Sequence, residues 1–382
     1  MFKSFIELVR DIYNTSDYIP LHEPTFIGNE RKYVLEALDS TFVSSIGEFV
    51  NNFENYVAEY TGNNFAIATV NGTSALHVAL KLAGVENKDQ VITQSLSFVA
   101  TSNAIHYCNA EPIFIDVNKA TLSLCPEKLE EYLDQNCEVR EDGFCWSINS
   151  NKRIMACLPM HTFGFPASLN RIKKICDEYN ISLVEDAAES LGSFYKEKHT
   201  GTSGSLSIFS FNGNKIITTG GGGMIVTDDE EIAIKAKHIT TTSKVIEKWK
   251  WSHDEIGFNY RLPNINAAIG LAQMEMLDRF LESKRKIASV YSDWFRDTDT
   301  SMYFFQERNE TKANYWLNTI IAEDRKLRDI FLEETNSNKI NTRACWQPMN
   351  QLAFNKNAAS SDLSNTEWLY DRLINIPSSP II

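Results

Sequence analysis

Short runs of apolar and β-branched residues recur through residue 227 and constrain the fold most strongly. Seven of them read as strands, at residues 65–70, 90–94, 112–117, 153–160, 181–185, 205–211 and 223–227. Their apolar residues are continuous, which is typical of strands covered on both faces. Helical patterns lie between most of them, for example at 74–83, 169–179 and 230–238. The pattern predicts an α/β fold with a large, mainly parallel, seven-stranded sheet.

The pattern changes near residue 254, where amphipathic helices predicted at 264–280 and 282–296 precede a region of short strands. A chain of 382 residues is long enough for two domains. We therefore expect a large α/β domain with an N-terminal helix over residues 1–253. Residues 254–382 are expected to form a smaller C-terminal α+β domain, with a surface loop over the Asn/Ser-rich residues 355–365.

The charge and cysteine content exclude several classes of protein. Lys and Arg number 37 and Asp and Glu 50, giving a net charge of −13, which argues against nucleic-acid and anionic-membrane partners. A small anionic substrate remains compatible, since local donors can override the global charge. Seven cysteines without a Cys-x-x-Cys pair predict buried thiols, with neither a disulfide framework nor a metal site. Neither a signal peptide nor a membrane span is predicted, so we expect a cytoplasmic protein.

Polar side chains collect where the predicted strands end. In open α/β sheets, ligands bind beyond the carboxyl ends of the strands. The residues found there are Asn71, Gly72, Thr73, Ser74, Phe98, His161, Asp186, Ser210 and Lys215. This set combines a lysine, a carboxylate, an aromatic ring and several hydroxyl groups.

Each of these residues, taken alone, also allows a structural interpretation. Residues 71–74 could form an anion cradle or an ordinary helix cap. Asp186 could end a strand or pair with a protonated ring nitrogen, and Phe98 could be a core residue or a cofactor platform. Lys215 lies in FSFNGNKIITTGGGGM (209–224), which fits neither a Walker motif nor a Rossmann turn. Together, however, an amine, a carboxylate, an aromatic face and a phosphate cradle are what pyridoxal 5′-phosphate (PLP) requires.

Six ordered motifs resemble the DegT/StrS-type family of PLP-dependent sugar aminotransferases of fold type I. They are NGTSALHVAL (71–80), VITQSLSFVATSNAI (91–105), LPMHTFGFP (158–166), VEDAAESLGS (184–193), FSFNGNKIITTGGGGMI (209–225) and GFNYRLPNINAAIG (257–270). The resemblance implies that Lys215 binds PLP as a Schiff base and that Asp186 pairs with the pyridinium nitrogen. It further implies phosphate contacts from Thr73 and Ser210, beside the backbone of Gly72 and Ser74, and stacking by Phe98.

Other implications concern partners and substrate. Asn259 matches an asparagine that reaches the phosphate from a neighbouring subunit, which implies a homodimer with shared sites. Glu189 stands where many relatives carry Gln or His against the 3-oxygen of the cofactor, and an ionised carboxylate there would repel the phenolate. Asn350 stands where several relatives carry His. The motifs look most like enzymes of legionaminic-acid and bacillosamine-type pathways.

The resemblance thus implies transfer of an amino group from L-glutamate to the 4-keto carbon of a nucleotide-linked 4-keto-6-deoxy sugar. Four side chains are candidates to bind its diphosphate: Lys248, Lys250, Arg261 and Arg343. Two alternatives remain open at this point. One is a PLP enzyme that acts on a free keto sugar acid, and the other is a PLP-binding regulator without enzymatic activity.

Overall fold

A computed structural model describes residues 2–382. Its helices are, in chain order, α1 Lys3–Tyr13, α2 Glu30–Asp39, α3 Glu48–Thr61, α4 Gly72–Leu82, α5 Val99–Tyr107, α6 Pro126–Asn136, α7 Leu169–Glu178, α8 Glu230–Thr240, α9 Asn264–Asp297, α10 Arg325–Ser337 and α11 Ser364–Tyr370. The strands of its two main sheets are β1 Phe65–Thr69, β2 Gln90–Gln94, β3 Glu111–Ile115, β4 Ile154–Leu158, β5 Ser182–Asp186, β6 Leu206–Ser210, β7 Gly223–Thr227, β8 Met302–Phe304, β9 Asn318–Ala322, β10 Arg343–Ala344, β11 Ala359–Ser360 and β12 Leu373–Ile376. Strands of two or three residues form small hairpins elsewhere.

The large sheet has the order β1-β7-β6-β5-β4-β2-β3-β11. All seven predicted strands are in it, which confirms the α/β architecture. Neighbours from β6 to β3 are parallel, whereas β7 runs antiparallel to both β1 and β6. The eighth strand, β11, is a two-residue edge strand beside β3, within the segment predicted to be a surface loop.

Both faces of the large sheet are covered, which explains the continuous apolar runs. Successive residues of β2 point to opposite faces: Val91 packs in a cluster with α4, α5 and α8, and Ile92 packs in a cluster with α6 and α7. The strand order reverses between β2 and β4, so the loops after these strands diverge and leave a crevice at their carboxyl ends. The seven cysteines are buried and free.

The C-terminal region differs from the prediction in one element. The helices predicted at 264–280 and 282–296 form the single 34-residue helix α9. Phe280 and Leu281 are both buried at the predicted break, and neither a Gly nor a Pro interrupts the backbone there. One half of α9 packs on α2 and α3, and the other half lies against the antiparallel sheet β8-β9-β12-β10.

The N-terminal helix packs on C-terminal elements, whereas the sequence placed it in the large domain. Phe5 of α1 contacts the rings of Tyr291 and Phe295 in α9 and of Phe331 in α10. The buried apolar residues of α1 therefore join the core that surrounds α9 and α10. The boundary at residue 253 stays a prediction. Among residues 2–382, the helices all lack the combination of length and apolar character that crossing a membrane requires.

Candidate active site

A pocket of about 280 Å³ lies at the carboxyl ends of the central strands. It is lined by seven of the nine residues that the family resemblance assigned to the cofactor site: Gly72, Thr73, Phe98, Asp186, Glu189, Ser210 and Lys215, but not Ser74 or Asn259. These residues come from five separate segments of the chain. The fold therefore brings together six residues selected from the strand ends and Glu189, which the family resemblance selected.

The N-terminus of α4 forms one end of the pocket. Asn71 caps this helix, because its Oδ1 atom accepts the N–H of Ser74 at 2.8 Å. The N–H groups of Gly72 and Thr73 precede the first intrahelical hydrogen bonds and stay open to an anion. A Cβ atom on Gly72 would lie 3.0 Å from the Cβ of Ser210, so glycine lets the Ser210 hydroxyl approach the helix end. Residues 71–74 are a helix cap, and the geometry also suits a phosphate.

The glycine run at 220–223 packs against this end of the pocket. A Cβ on Gly223 would lie 2.5 Å from the carbonyl carbon and oxygen of Asn71, so β7 can pass beneath the loop only without a side chain there. Gly220 has φ +82°, a left-handed conformation that glycine adopts readily. A Cβ on Gly221, in contrast, would make only an ordinary contact, with the carbonyl oxygen of Val70 at 3.9 Å. The run therefore shapes the loop beside α4 and leaves the pocket wall to other residues.

Asp186 ends β5 and is 2% exposed. Its Oδ2 accepts the hydroxyl of Thr101 at 2.7 Å, and its Oδ1 accepts the N–H of Ala188 at 3.2 Å. Burial raises the pKa of Asp186, and these hydrogen bonds and the charge of Lys215 oppose the shift. Within residues 2–382 it has no cation at ion-pair distance, so this buried carboxylate suits a cationic group of a ligand.

Lys215 and Glu189 form an ion pair in which Glu189 is buried and Lys215 is half-buried. The Nζ of Lys215 lies 3.2 Å from the Oε1 of Glu189 and 4.0 Å from the centroid of the Trp316 ring. The other oxygen of Glu189 accepts the N–H of Phe163 at 2.8 Å. Burial raises the pKa of Glu189, and the charge of Lys215 opposes the shift. The amine and this carboxylate therefore hold each other in place beside an indole ring.

Aromatic residues complete the pocket wall. Phe98 is 46% exposed and precedes α5, which leaves much of its ring accessible. Its ring centroid lies 6.0 Å from that of Trp346, which in turn packs on Phe163 at 4.9 Å. Trp316 and Trp346 were not predicted. Trp316 belongs to no local motif, and in RACWQPMN (343–350) only Arg343 and Asn350 were singled out, although Trp346 lies between them. Thr101 was also missed, although it follows Phe98 by three residues in the first turn of α5.

The histidine after β4 has a structural role. His161 is fully buried, accepts the N–H of Ala167 at Nδ1, and therefore donates from Nε2 to Glu185 at 3.0 Å. Burial pushes the pKa of Glu185 upward, but His161 and the N–H groups of Gly201 and Gly204 outweigh it, and the pKa lies below its usual value. These hydrogen bonds fix Glu185, and so the position of its neighbour Asp186 at the end of β5.

The remaining candidates lie in three different places. Asn259 is exposed and is outside the residues that line this pocket, and Lys248 and Lys250 are exposed on a hairpin. Arg261, predicted as a candidate to bind the diphosphate, instead lies outside the residues that line the pocket and forms a buried ion pair with Glu54 at 2.7 Å. Arg343, in contrast, lines the pocket. Asn350 bonds with the hydroxyl of Ser95 at 2.7 Å.

The residues that line the pocket fit PLP. An amine is present for covalent attachment, and a buried carboxylate without a cation suits a protonated pyridine nitrogen. A helix N-terminus beside a serine hydroxyl suits the phosphate, and an accessible phenyl face suits the ring. All four features open into the same pocket.

Comparison with known proteins leads to the same chemistry. The model of the DegT/DnrJ/EryC1/StrS aminotransferase family matches residues 24–382. The GDP-perosamine synthase of Escherichia coli O157:H7 is 35% identical over 368 residues, which cover 95% of this chain and 94% of that protein. The putative pyridoxal phosphate-dependent aminotransferase EpsN of Bacillus subtilis (strain 168) is 38% identical over 331 residues, covering 87% and 82%.

Solved structures confirm the predicted fold. Helicobacter pylori PseC, an aminotransferase involved in the biosynthesis of pseudoaminic acid, superposes with a TM-score of 0.84 at 24% identity, covering 94% of both chains. A putative sugar aminotransferase from Streptococcus pneumoniae, in its PLP form, gives a TM-score of 0.83 at 19% identity, covering 94% of this chain and 93% of that one.

Proposed function

The chain belongs to the DegT/DnrJ/EryC1/StrS aminotransferase family, and from this premise we propose that it aminates the 4-keto carbon of a nucleotide-linked 4-keto-6-deoxy hexose with L-glutamate as donor. That it is a PLP-dependent sugar aminotransferase follows from the family and its relatives. The observation that carries the proposal is the convergence of Lys215, Asp186 and the N-terminus of α4 on one pocket.

Lys215 is the proposed catalytic residue. Bound PLP would supply an electron sink. It would stabilise the negative charge that remains when the carbon bearing the reacting amino group loses a proton. The Nζ of Lys215, once released from the cofactor, takes that proton and later returns it. Glu189 and the Trp316 ring, both in contact with Nζ, keep the amine at this position.

The other pocket residues bind and orient. Asp186 would hold the ring nitrogen and favour its protonated form, and Thr101 fixes the direction of the carboxylate through its 2.7 Å hydrogen bond. Phe98 would hold the ring by stacking. The N–H groups at the start of α4, together with Thr73 and Ser210, would bind the phosphate.

The proposal includes a homodimer. Asn259 is exposed outside this pocket, which suits a residue that acts in the site of a partner subunit. The segment around α2 also exposes large apolar side chains, namely Phe26, Ile27, Leu35, Leu38, Phe42, Val43 and Ile46. Such a concentration is typical of an interaction surface. A second copy of the chain would cover it.

Complementation tests the shared site. Lys215→Ala and Asn259→Ala are each expected to be nearly inactive alone. Co-expressed with different tags, they should form mixed dimers in which one site carries neither change, so that activity returns to about half per mixed dimer. Inactive mixed dimers would show that Asn259 acts within its own subunit.

Two assays test the substrate proposal. L-Glutamate alone should convert the visible spectrum of the loaded enzyme to that of the amine form of the cofactor, and a regulator without enzymatic activity would leave it unchanged. GDP, UDP and dTDP should then be compared as ligands, with GDP first because three similar relatives are GDP-perosamine synthases. Failure of all three to bind would favour the free keto sugar acid.

A further inference from the structure

Trp346 lines the active-site pocket with an unused hydrogen-bond donor. It follows β10, is half-buried, and shares the pocket wall with Trp316. The indole N–H of Trp316 donates to the carbonyl of Asn214 at 2.6 Å. That of Trp346, in contrast, makes no hydrogen bond within residues 2–382. Trp346 therefore offers a ligand both an apolar ring face and a free donor.

The backbone holds Trp346 from both sides. The N–H of Cys345 donates to the carbonyl of Leu373 in β12 at 3.4 Å, and the N–H of Met349 donates to the carbonyl of Ser95 at 2.9 Å. This segment thus bridges the C-terminal sheet and the end of β2. Attachment to two sheets suits a binding surface that must keep its shape.

A residue with a strained backbone packs against the indole ring. Phe163 is fully buried and has φ +56° and ψ +15°, a left-handed conformation that is unfavourable for a bulky side chain. Its ring centroid lies 4.9 Å from that of Trp346. Its N–H donates to Glu189, which in turn contacts the Nζ of Lys215. Such strain is concentrated at functional sites, and here it places the indole ring and the reacting amine together.

We propose that Trp346 binds the sugar ring of the amino acceptor and selects sugars without a hydroxyl group on carbon 6, an inference that rests on the proposed function. The face of an aromatic ring is electrostatically negative, so it disfavours a carboxylate and favours C–H groups. L-Glutamate has a carboxylate at each end, whereas a 6-deoxy hexose presents ring C–H groups and a methyl group. The indole face therefore suits the acceptor, and the free N–H suits one of its hydroxyl groups.

The methyl group of the sugar is the basis of the selectivity. It is attached to carbon 5, the neighbour of the reacting carbon 4, so it lies close to the pocket wall beside Lys215 when the sugar reacts. A hydroxyl on carbon 6 would lose its hydrogen bonds to water against an indole face. Apolar surface rejects an added hydroxyl by roughly 100-fold at most. We therefore expect wild type to favour the 6-deoxy sugar by roughly 10- to 100-fold.

The first test starts from the enzyme loaded with pyridoxamine 5′-phosphate, the amine form of the cofactor. Its visible spectrum is followed while either 2-oxoglutarate or a GDP-, UDP- or dTDP-linked 4-keto-6-deoxy hexose accepts the amino group. In Trp346→Ala the keto-sugar concentration for half-maximal conversion should rise roughly 10- to 100-fold, since a large apolar contact is lost. The corresponding concentration of 2-oxoglutarate should stay within about threefold of wild type.

Two further variants control this test. Trp346→Phe keeps an aromatic ring without the N–H, so its response to the keto sugar should fall between those of wild type and Trp346→Ala. Trp146→Ala is the matched control, because Trp146 lies outside the residues that line the pocket and its indole N–H donates to Asp142 at 3.0 Å. It should respond to both acceptors as wild type does. Conversion by 2-oxoglutarate also shows that each variant is folded and loaded.

The second test measures binding to the PLP-loaded enzyme without turnover. Each nucleotide is compared with two of its sugars: GDP with GDP-mannose and GDP-6-deoxymannose, and UDP and dTDP with their glucose and 6-deoxyglucose forms. The two sugars of a pair differ only in the hydroxyl on carbon 6. Wild type should bind the 6-deoxy form roughly 10- to 100-fold more tightly. In Trp346→Ala this preference should disappear, while the nucleotide without sugar binds as it does to wild type.

The outcomes separate this inference from the proposed function. If Trp346→Ala responded to the keto sugar as wild type does, or lost its response to 2-oxoglutarate equally, Trp346 would not be a sugar-binding residue. A 6-deoxy preference that survived in Trp346→Ala would overturn its role in selectivity. A wild-type amine form that 2-oxoglutarate converts and none of the three keto sugars converts would contradict the proposed acceptor, and the inference would fall with it.

Discussion

The Nζ of Lys215 lies 3.2 Å from the Oε1 of Glu189. Glu189 is almost completely buried. In the unloaded protein the ammonium group offsets the carboxylate charge. Attachment of the cofactor to Lys215 reduces that compensation. Glu189 then remains buried with the N–H of Phe163 as a hydrogen-bond donor. Because burial already raises its pKa, Glu189 should take up a proton when the cofactor binds.

Glu189→Gln tests this protonation. Glutamine mimics the neutral acid, so this variant should keep wild-type turnover to within a factor of about three, or less than 1 kcal/mol. Glu189→Ala should instead weaken PLP binding by roughly 10-fold, since it removes the hydrogen bond that the protonated carboxyl group would donate to the 3-oxygen of the cofactor. Turnover and PLP titration measure both effects. A Gln variant as impaired as the Ala variant would show that the ionised carboxylate is required.

Asp186→Asn should lower turnover roughly 100- to 5,000-fold, because a buried charged pair contributes about 3–5 kcal/mol when one partner is lost. The change preserves shape, so the thermal unfolding temperature should stay near that of wild type. Wild-type turnover in this variant would mean that another group pairs with the ring nitrogen.

Thr101→Val removes the hydroxyl that donates to Asp186 at 2.7 Å and keeps the side-chain volume. We expect a roughly 10-fold loss of turnover, smaller than that of Asp186→Asn, since the carboxylate keeps the N–H of Ala188. Steady-state kinetics beside the Asp186→Asn variant provide the comparison. Wild-type turnover in Thr101→Val would show that Asp186 does not need Thr101 to orient its carboxylate.

Gly223→Ala should disturb the phosphate end of the pocket. The added Cβ would lie 2.5 Å from the carbonyl group of Asn71, so the loop before α4 must shift. We expect weaker PLP binding and about 1–3 kcal/mol less stability in urea unfolding. Gly221→Ala is the matched control, because the nearest atom to its Cβ is 3.9 Å away. Equal PLP affinity in the two variants would contradict this role of Gly223.

Buried His199 should make stability depend on pH. Its Nε2 accepts the N–H of Gly192 at 2.7 Å, and burial lowers its pKa to about 4. The unfolded chain, with a pKa near 6.5, binds the proton more readily, so the contribution of His199 is full above pH 6.5 and is lost as the pH falls toward 4. His199→Gln keeps an acceptor and cannot titrate. Urea unfolding at pH 7.5 and 5 should therefore show a smaller loss of stability in the variant, by roughly 2 kcal/mol.

Much of this architecture could be predicted from sequence, because strands buried on both faces leave continuous apolar runs and the polar residues after them meet at one sheet edge. The residues missed depend on distant partners. The pairing of Arg261 with Glu54 joins segments that local patterns do not connect. Trp316 reaches Lys215 from the C-terminal part of the chain, and α1 packs against α9 and α10. Neither tertiary contact is marked by a sequence motif.

The central claim is that Lys215 carries the cofactor. Reduction of the loaded enzyme with borohydride, followed by proteolysis and mass spectrometry, tests it most directly. The phosphopyridoxyl group should be found on the peptide that contains Lys215, and Lys215→Ala should lose both this label and the visible absorbance of the cofactor. A label on another lysine, or normal turnover in Lys215→Ala, would contradict the account.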